Sequence, residues 1–217
     1  MPTRTDPSPT RPTLILLGGG GHARVLLDAL ALADRAVGGV LDDDPGIKTD
    51  VPRLGTLAQL AEFDPGDTEL VNAIGSADLP QTRHAVYEHA IKQGFGFTQV
   101  VHPAATLAIS AACGQGTQVL AGSVIGPGTT LADNVLVNTR AGIDHDCHIG
   151  PHTHLAPGVT LCGGVRVGEG CHIGCGATVI QGVAIGNRVV VGAGAVVTQD
   201  LPDGSRVAGV PAGPIGS

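Results

Sequence analysis

The chain has 217 residues, a formal net charge of −7, 34 glycines, and only 14% charged and 2% aromatic residues, a length for one large domain or two modest ones. With no Trp, one Tyr and three Phe, its core must be built from many small aliphatic side chains, which suits a repetitive β architecture better than a helical bundle. The acidic balance offers no basic face to nucleic acid or anionic lipid, and no apolar run approaches the roughly 18 residues of a membrane span.

Residues 1–11 (MPTRTDPSPTR) are polar and proline-rich and read as a disordered lead-in. The short apolar run LILL at 14–17 is too brief for a signal-peptide core and runs straight into glycines. Residues 12–100 then alternate strand and helix patterns. PTLILL is a strand, GGGG a turn, and Leu26, Leu27, Leu30 and Ala33 recur at helical spacing. AVGGVLDDD is a second strand ending in three acids, TLAQLAEF a short helix, TELVNAIGSAD a third strand and turn, and PQTRHAVYEHAIKQG a helix closed by Gly94. This alternation predicts a small, Rossmann-like α/β domain with a parallel sheet over 12–100.

From residue 101 the period becomes six. Val101, Leu107, Cys113, Val119, Ile125, Leu131, Val137, Ile143, Ile149, Leu155, Leu161, Val167, Ile173, Val179, Ile185, Val191 and Val197 stand in one register, and all but Cys113 are Leu, Ile or Val. The fourth residue after each is small or aliphatic, as at Thr117, Ser123, Val135, Ala141, Cys147, Val159, Cys171 and Val183. This hexapeptide repeat predicts a parallel β-helix over 101–217, each short strand burying one aliphatic and one small residue while coils stack into a continuous column. With three faces per coil, eighteen residues make one turn.

Three places stand out chemically. The GGGGH segment (Gly18 to His22) follows a strand and opens a helix, where glycines let a phosphate reach backbone N–H groups; a plain turn is the alternative, since the spacing is not the full GxGxxG. Asp42 and Asp43 end the second strand and Gly75 the third, at carboxyl ends of strands, where open α/β sheets bind ligands; a solvated acidic turn is the alternative for Asp42 to Asp44. IDHDCHIGPHTH at 143–154 carries four histidines. His145, His148, His152 and His154 could ligate zinc or nickel, but coil geometry spreads them over two faces and their turns, so no metal is expected, and His148, His152 and His172 read as polar turn residues. The five cysteines form no CxxC pair and read as reduced, in a cytoplasmic protein. Cys113, Cys147 and Cys171 take inward repeat positions; Cys162 and Cys175 are less constrained, and a nucleophilic cysteine stays open as a minor alternative.

The pieces LGGGGHARVLLD, VLDDD, NAIGSADLPQTR, VNTRAGIDHDCHIGPHTHLAPGV and VAGVPA resemble, over nearly the full length from Pro12, the hexapeptide-repeat sugar acetyltransferases of the bacillosamine, perosamine and sialic acid O-acetylation type. The resemblance implies a left-handed β-helix behind the α/β domain, a homotrimer, acetyl-CoA as co-substrate and a nucleotide-sugar acceptor. It implies that Gly20, Gly21, His22, Asp42, Asp43 and Gly75 contact the nucleotide sugar. His145 would be the general base and Asp146 would orient its imidazole, a part that Asp144 could play on the residues alone. His154 would lie at the thioester end and Cys175 and Ala193 along coenzyme A. Gly163, eighteen residues after His145, would offer its N–H to the oxyanion. The leading expectation is N-acetylation of a UDP- or GDP-linked 4-amino-4,6-dideoxy sugar, against O-acetylation of a sialic acid or another sugar hydroxyl, or a non-catalytic nucleotide-sugar-binding protein.

Overall fold

A computed structural model of the chain describes residues 12–76 and 81–216. The proline-rich lead-in at 1–11 and the end of the NAIGSADLP segment at 77–80 lie outside the described residues.

Strand β1 (Thr13–Leu17) lies at the centre of the first half. Its alternate side chains point to opposite faces of the sheet. Leu14 and Leu16 pack with Leu26 and Leu30 of helix α1 (Gly21–Leu32), which lies on one face, and Ile15 and Leu17 pack with residues of the other face's cluster. Strands β2 (Gly39–Leu41), β3 (Arg53–Gly55), β4 (Thr68–Asn72) and β5 (Gly96–Phe97) complete a parallel sheet in the order β3-β2-β1-β4-β5. Helix α2 (Gln81–Lys92) places Tyr87 and Ala90 in the cluster that holds Ile15 and Leu17. Two features depart from the sequence reading. TLAQLAEF forms a 3-10 helix, Leu57–Glu62, because only six residues separate Thr56 from the extended Phe63 and the tighter winding is used in such short pieces. Strands β3 and β5, of three and two residues, are too short to show a period.

The second half is a parallel β-helix of two-residue strands on three faces. The first face runs through Thr106–Leu107, Val124–Ile125, Gly142–Ile143, Thr160–Leu161, Thr178–Val179 and Val196–Val197. The second runs from Ala112–Cys113 to Ala184–Ile185, and the third from Val100–Val101 to Val190–Val191. Each strand pairs eighteen residues along, as Val124 does with Thr106 and with Gly142. The aliphatic position of the repeat is the second residue of every strand, and it points into the column. The small position four residues later is buried as well, from Thr117 at 0% to Val183 at 4% exposure. Its hydroxyls are satisfied: Ser123 Oγ donates to Asn138 O (2.8 Å), Thr129 Oγ1 to Asp144 O (2.8 Å) and Thr153 Oγ1 to Gly168 O (2.8 Å), as buried polar groups require.

The first coil is an open end, so Val101, Leu107 and Cys113 are only partly buried. At the other end VAGVPA leaves the repeat: Arg206–Ala208 pairs with Val190–Val191, and Gly213–Pro214 returns antiparallel on it. Val100, Leu120 and Leu136 on the third face join the cluster that contains Leu14, Leu16, Leu26 and Leu30, so the α/β half docks through its α1 side onto that face. No helix of the described residues is long and apolar enough to cross a membrane.

Candidate active site

The glycine loop needs its glycines. Gly18 has φ 100°, and a Cβ there would lie 2.8 Å from Ile74 Cδ1, so another residue would be both strained and crowded. Helix α1 then starts at Gly21 with no side-chain cap and no acid in its first turn, leaving amide donors for an anion. A Cβ on Gly20 would meet nothing within 4 Å, so this loop is open. Asp42 Oδ2 accepts from Gly19 N–H (2.6 Å) and Oδ1 from Asp44 N–H (2.8 Å), while Asp43 Oδ1 accepts from Leu57 N–H (2.9 Å). Both carboxylates therefore brace loops around the carboxyl ends of β1 and β2. His22 lies against Gly75 and places Nε2 2.8 Å from Gln118 Oε1 of the β-helix. Burial first, and then the charge of Arg83, push the His22 pKa down to about 4.

His145 sits on the corner between the first and second faces, just after Gly142–Ile143. Its Nδ1 lies 2.8 Å from Asp146 Oδ2, while Asp144 Oδ1 accepts from the backbone N–H of His145 (2.8 Å). Asp146, rather than Asp144, thus reaches the ring. Asp146 takes a left-handed conformation (φ 56°); glycine fills the same column at Gly128, Gly164 and Gly182, and a side chain is kept here at a conformational cost. The hydrogen bond that His145 donates to Asp146, then the charge of Asp144, raise the His145 pKa. With Nδ1–H directed at a carboxylate, Nε2 is the free base. Gly163, one coil on, lies beneath the ring: a Cβ there would come 2.5 Å from His145 Nε2. The Gly163 N–H donates to no group among the described residues. The His145 and Asp146 side chains are 56% and 71% exposed, so in the single chain the pair stands on open surface.

His154 is elsewhere. It opens the third-face strand His154–Leu155, opposite the His145 corner across the triangular coil, and is 4% exposed. The two histidines do not meet within one chain; they stand half a coil apart, as their nine-residue spacing implies. Its Nε2 lies 3.2 Å from Asn138 Nδ2, and burial, with help from His172, pushes its pKa down to about 3. Cys175 and Ala193, stacked eighteen residues apart and both exposed, line the corner between the third and first faces.

The geometry therefore places a His–Asp pair on one corner, the exposed Cys175 and Ala193 on another, and the glycine loop on the domain docked to the third face. The PglD N-terminal domain family matches residues 13–90, and the bacterial transferase hexapeptide family (six repeats) matches residues 164–199. The acetyltransferase domain of PglB from Neisseria gonorrhoeae FA1090 is 37% identical over 94% of this chain and 99% of that one, with a TM-score of 0.89; it is also known in complex with acetyl coenzyme A. The chain belongs to the left-handed β-helix sugar acetyltransferases. PerB from Caulobacter crescentus, in complex with CoA and GDP-perosamine, is 34% identical over 94% of this acetyltransferase and 97% of its own chain, with a TM-score of 0.75. WeeI from Acinetobacter baumannii AYE, 19% identical with a TM-score of 0.63, shares the fold.

The structure revises the other histidines of the acetyltransferase. His152 and His172, read from sequence as polar turn residues, are 6% and 9% exposed. His152 keeps a turn position (φ 60°) but is packed by α2: its ring stacks on His84 (centroids 3.8 Å apart) and meets Tyr87 edge-on. His172 opens a third-face strand and packs edge-on against His154. His148 also opens a strand, on the second face, where its Nδ1 lies 2.7 Å from Thr130 Oγ1. The donor atoms of His84, His152 and Glu169 come within 4.8 Å of one another. Stacked rings aim their lone pairs side by side rather than at one point, so this cluster suits a packed joint between α2 and the β-helix better than a chelate. Burial raises the Cys147 and Cys171 thiols, away from the thiolate a nucleophile needs. Gln118, Asn138, Asn72 and Arg83 escaped the sequence reading. The outward column Val100, Gln118, Leu136, His154, His172 on the third face was the available signal, since bulky residues there mark the covered face.

Proposed function

We propose that this acetyltransferase moves acetyl from acetyl-CoA to the amino group of a UDP- or GDP-linked 4-amino-4,6-dideoxy sugar by direct transfer. His145 Nε2 takes a proton from the amine as its nitrogen attacks the thioester carbonyl. Asp146 holds the imidazole and stabilises its protonated form. The carbonyl oxygen becomes an oxyanion facing the Gly163 N–H. Collapse of the tetrahedral intermediate breaks the C–S bond, and the leaving thiolate takes the proton back from His145. Gly20, Gly21, Asp42, Asp43, Gly75 and His22 would hold the nucleotide sugar, with its phosphates at the N-terminus of α1. Cys175, Ala193 and His154 would line the coenzyme A side.

The observation that carries this reading is the exposed His145–Asp146 pair above the unpartnered Gly163 N–H. Its exposure, and the placement of His154 on the opposite side of the same coil, also support a homotrimer whose active sites lie between subunits, one chain giving the base and the next giving the α/β half. The outward side chains of the first face are Thr106, Val124, Gly142, Thr160, Thr178 and Val196, without a charge among them, which permits close approach of another coil. The amino sugar is favoured over a hydroxyl acceptor because PerB holds GDP-perosamine. A cytoplasmic location accords with the five free thiols. The test is thiol release from acetyl-CoA with a panel of UDP- and GDP-amino sugars. Turnover with an amine supports the reading; turnover with hydroxyl acceptors alone overturns it.

A further inference from the structure

We propose that Gln118, a residue of the β-helix that is 1% exposed, is a positioning residue for His22. It holds the imidazole as the neutral Nε2–H tautomer, so that Nδ1 presents a lone pair to the nucleotide sugar and accepts a hydrogen bond from one of its hydroxyl or amine groups, leaving the phosphates to the backbone amides of the glycine loop. This rests on the reading that the GGGGH segment binds the nucleotide sugar.

Gln118 Nε2 lies 2.7 Å from Asn72 O. A carbonyl oxygen carries no proton, so the Gln118 atom facing it must be the amide nitrogen. That fixes Oε1 as the atom 2.8 Å from His22 Nε2. An amide oxygen can only accept, so the proton of His22 resides on Nε2. The second proton of an imidazolium is disfavoured by burial and by Arg83, whose Nη1 donates to the same Asn72 carbonyl (2.7 Å) and to Ile74 O (3.1 Å). Nδ1 is therefore a bare acceptor. It makes no hydrogen bond among the described residues and is not sealed from solvent.

The surroundings show that Gln118 is there for more than packing. It stands in register with Val100 on one side and Leu136 on the other, in a strip that joins the apolar cluster under α1. A polar side chain there is tolerated only because both of its ends are satisfied. Asn72 is anchored in turn, its Nδ2 donating to Arg83 O (2.8 Å) and to Asn134 Oδ1 (3.3 Å). The orientation of Gln118 is thus set by main chain, and His22 reads it out beside Gly75. A phosphate oxygen has no proton to give to Nδ1, and its charge would face a lone pair. A hydroxyl or an N–H meets it well.

The test is long-range 1H–15N correlation on the full-length enzyme labelled with 15N-histidine, His22 being assigned by its loss in His22→Ala, together with steady-state kinetics. In the wild-type enzyme near neutral pH, His22 should show a protonated Nε2 and a bare Nδ1. Gln118→Met, similar in volume but lacking the amide, should mix the two tautomers. It should raise KM for the nucleotide sugar roughly tenfold, the loss of about one hydrogen bond, with kcat and the KM for acetyl-CoA little changed. A wild-type spectrum with protonated Nδ1, or with both nitrogens protonated, overturns the proposal without any variant having to fold. An altered tautomer with unchanged KM overturns it too. If His22→Ala leaves KM unchanged although the wild-type tautomer is as stated, the proposal falls because His22 does not touch the nucleotide sugar, a failure distinct from that of Gln118.

Discussion

His145 carries its imidazole outside the coil, where Asp146 and Asp144 raise its pKa against a smaller opposing effect of desolvation. The base must be unprotonated to act, so a raised pKa places the acid limb of the kcat/KM profile above the ordinary histidine value. Asp146→Asn removes the largest cause of the shift. The limb should then move to lower pH while the plateau rate falls, because the base is weaker and less well oriented; a pH–rate profile whose limb stays put would refute the pairing. His145→Ala should lower kcat by about 10²–10⁴-fold while nucleotide-sugar binding, measured by calorimetry, survives. Gly163→Ala is a sharper probe. Its Cβ would enter the space of the His145 ring, and the exposed ring can escape only by leaving Asp146. Turnover should fall with little change in melting temperature, and equal losses in both would assign Gly163 a merely structural part.

At the scale of the element, stability lies in the stacked column rather than in any single strand, because each strand is only two residues long and cannot bury itself alone. Ile149, 2% exposed in the middle of the second face, is enclosed by coils on both sides. Ile149→Ala should cost about 2–5 kcal/mol in denaturant unfolding. The same truncation at Leu107 should cost clearly less, since the first coil has no neighbour below and leaves it partly exposed. Equal costs would mean that the column is not the unit of stability. The repeat was legible because the inward requirement recurs at every sixth residue. A helix at TLAQLAEF was legible too, but its 3-10 winding over Leu57–Glu62 and the short strands Arg53–Gly55 and Gly96–Phe97 were not, because pieces of that length take their conformation from the sheet beside them.

For the whole molecule, neutral histidines at the joint between the two halves, His152 and His154 buried and His22 half-buried, set a pH dependence. His22, His152 and His154 are pushed from 6.5 down to about 4, about 4 and about 3, in each case chiefly by burial. Between those values and 6.5 the unfolded chain binds more protons than the folded one, so their contribution is complete above pH 6.5 and is lost as the pH falls through the folded values. The melting temperature should therefore drop progressively below pH 6.5; a flat profile down to pH 4 would contradict the burial of all three. The separation of His145 from His154 across one coil makes a second expectation. Chains bearing His145→Ala and chains bearing His154→Ala, each inactive alone, should recover part of the activity when co-expressed, and no recovery would place the whole site within one chain.

The sequence by itself determined the architecture, because a six-residue inward demand repeated over a hundred residues admits few folds, and an apolar strand running into glycines and a helical pattern announces an α/β half. It also picked out His145, whose neighbours Asp144 and Asp146 are adjacent in the chain. Tertiary structure decided which polar groups meet. His154 is nine residues from His145 yet on the other side of the prism, whereas His22 and Gln118, 96 residues apart, touch. The physical reason is that a coil's period fixes only whether a side chain points inward or outward. What an outward side chain meets is fixed by the face on which the α/β half docks, and that docking depends on shape and apolar area summed over both halves.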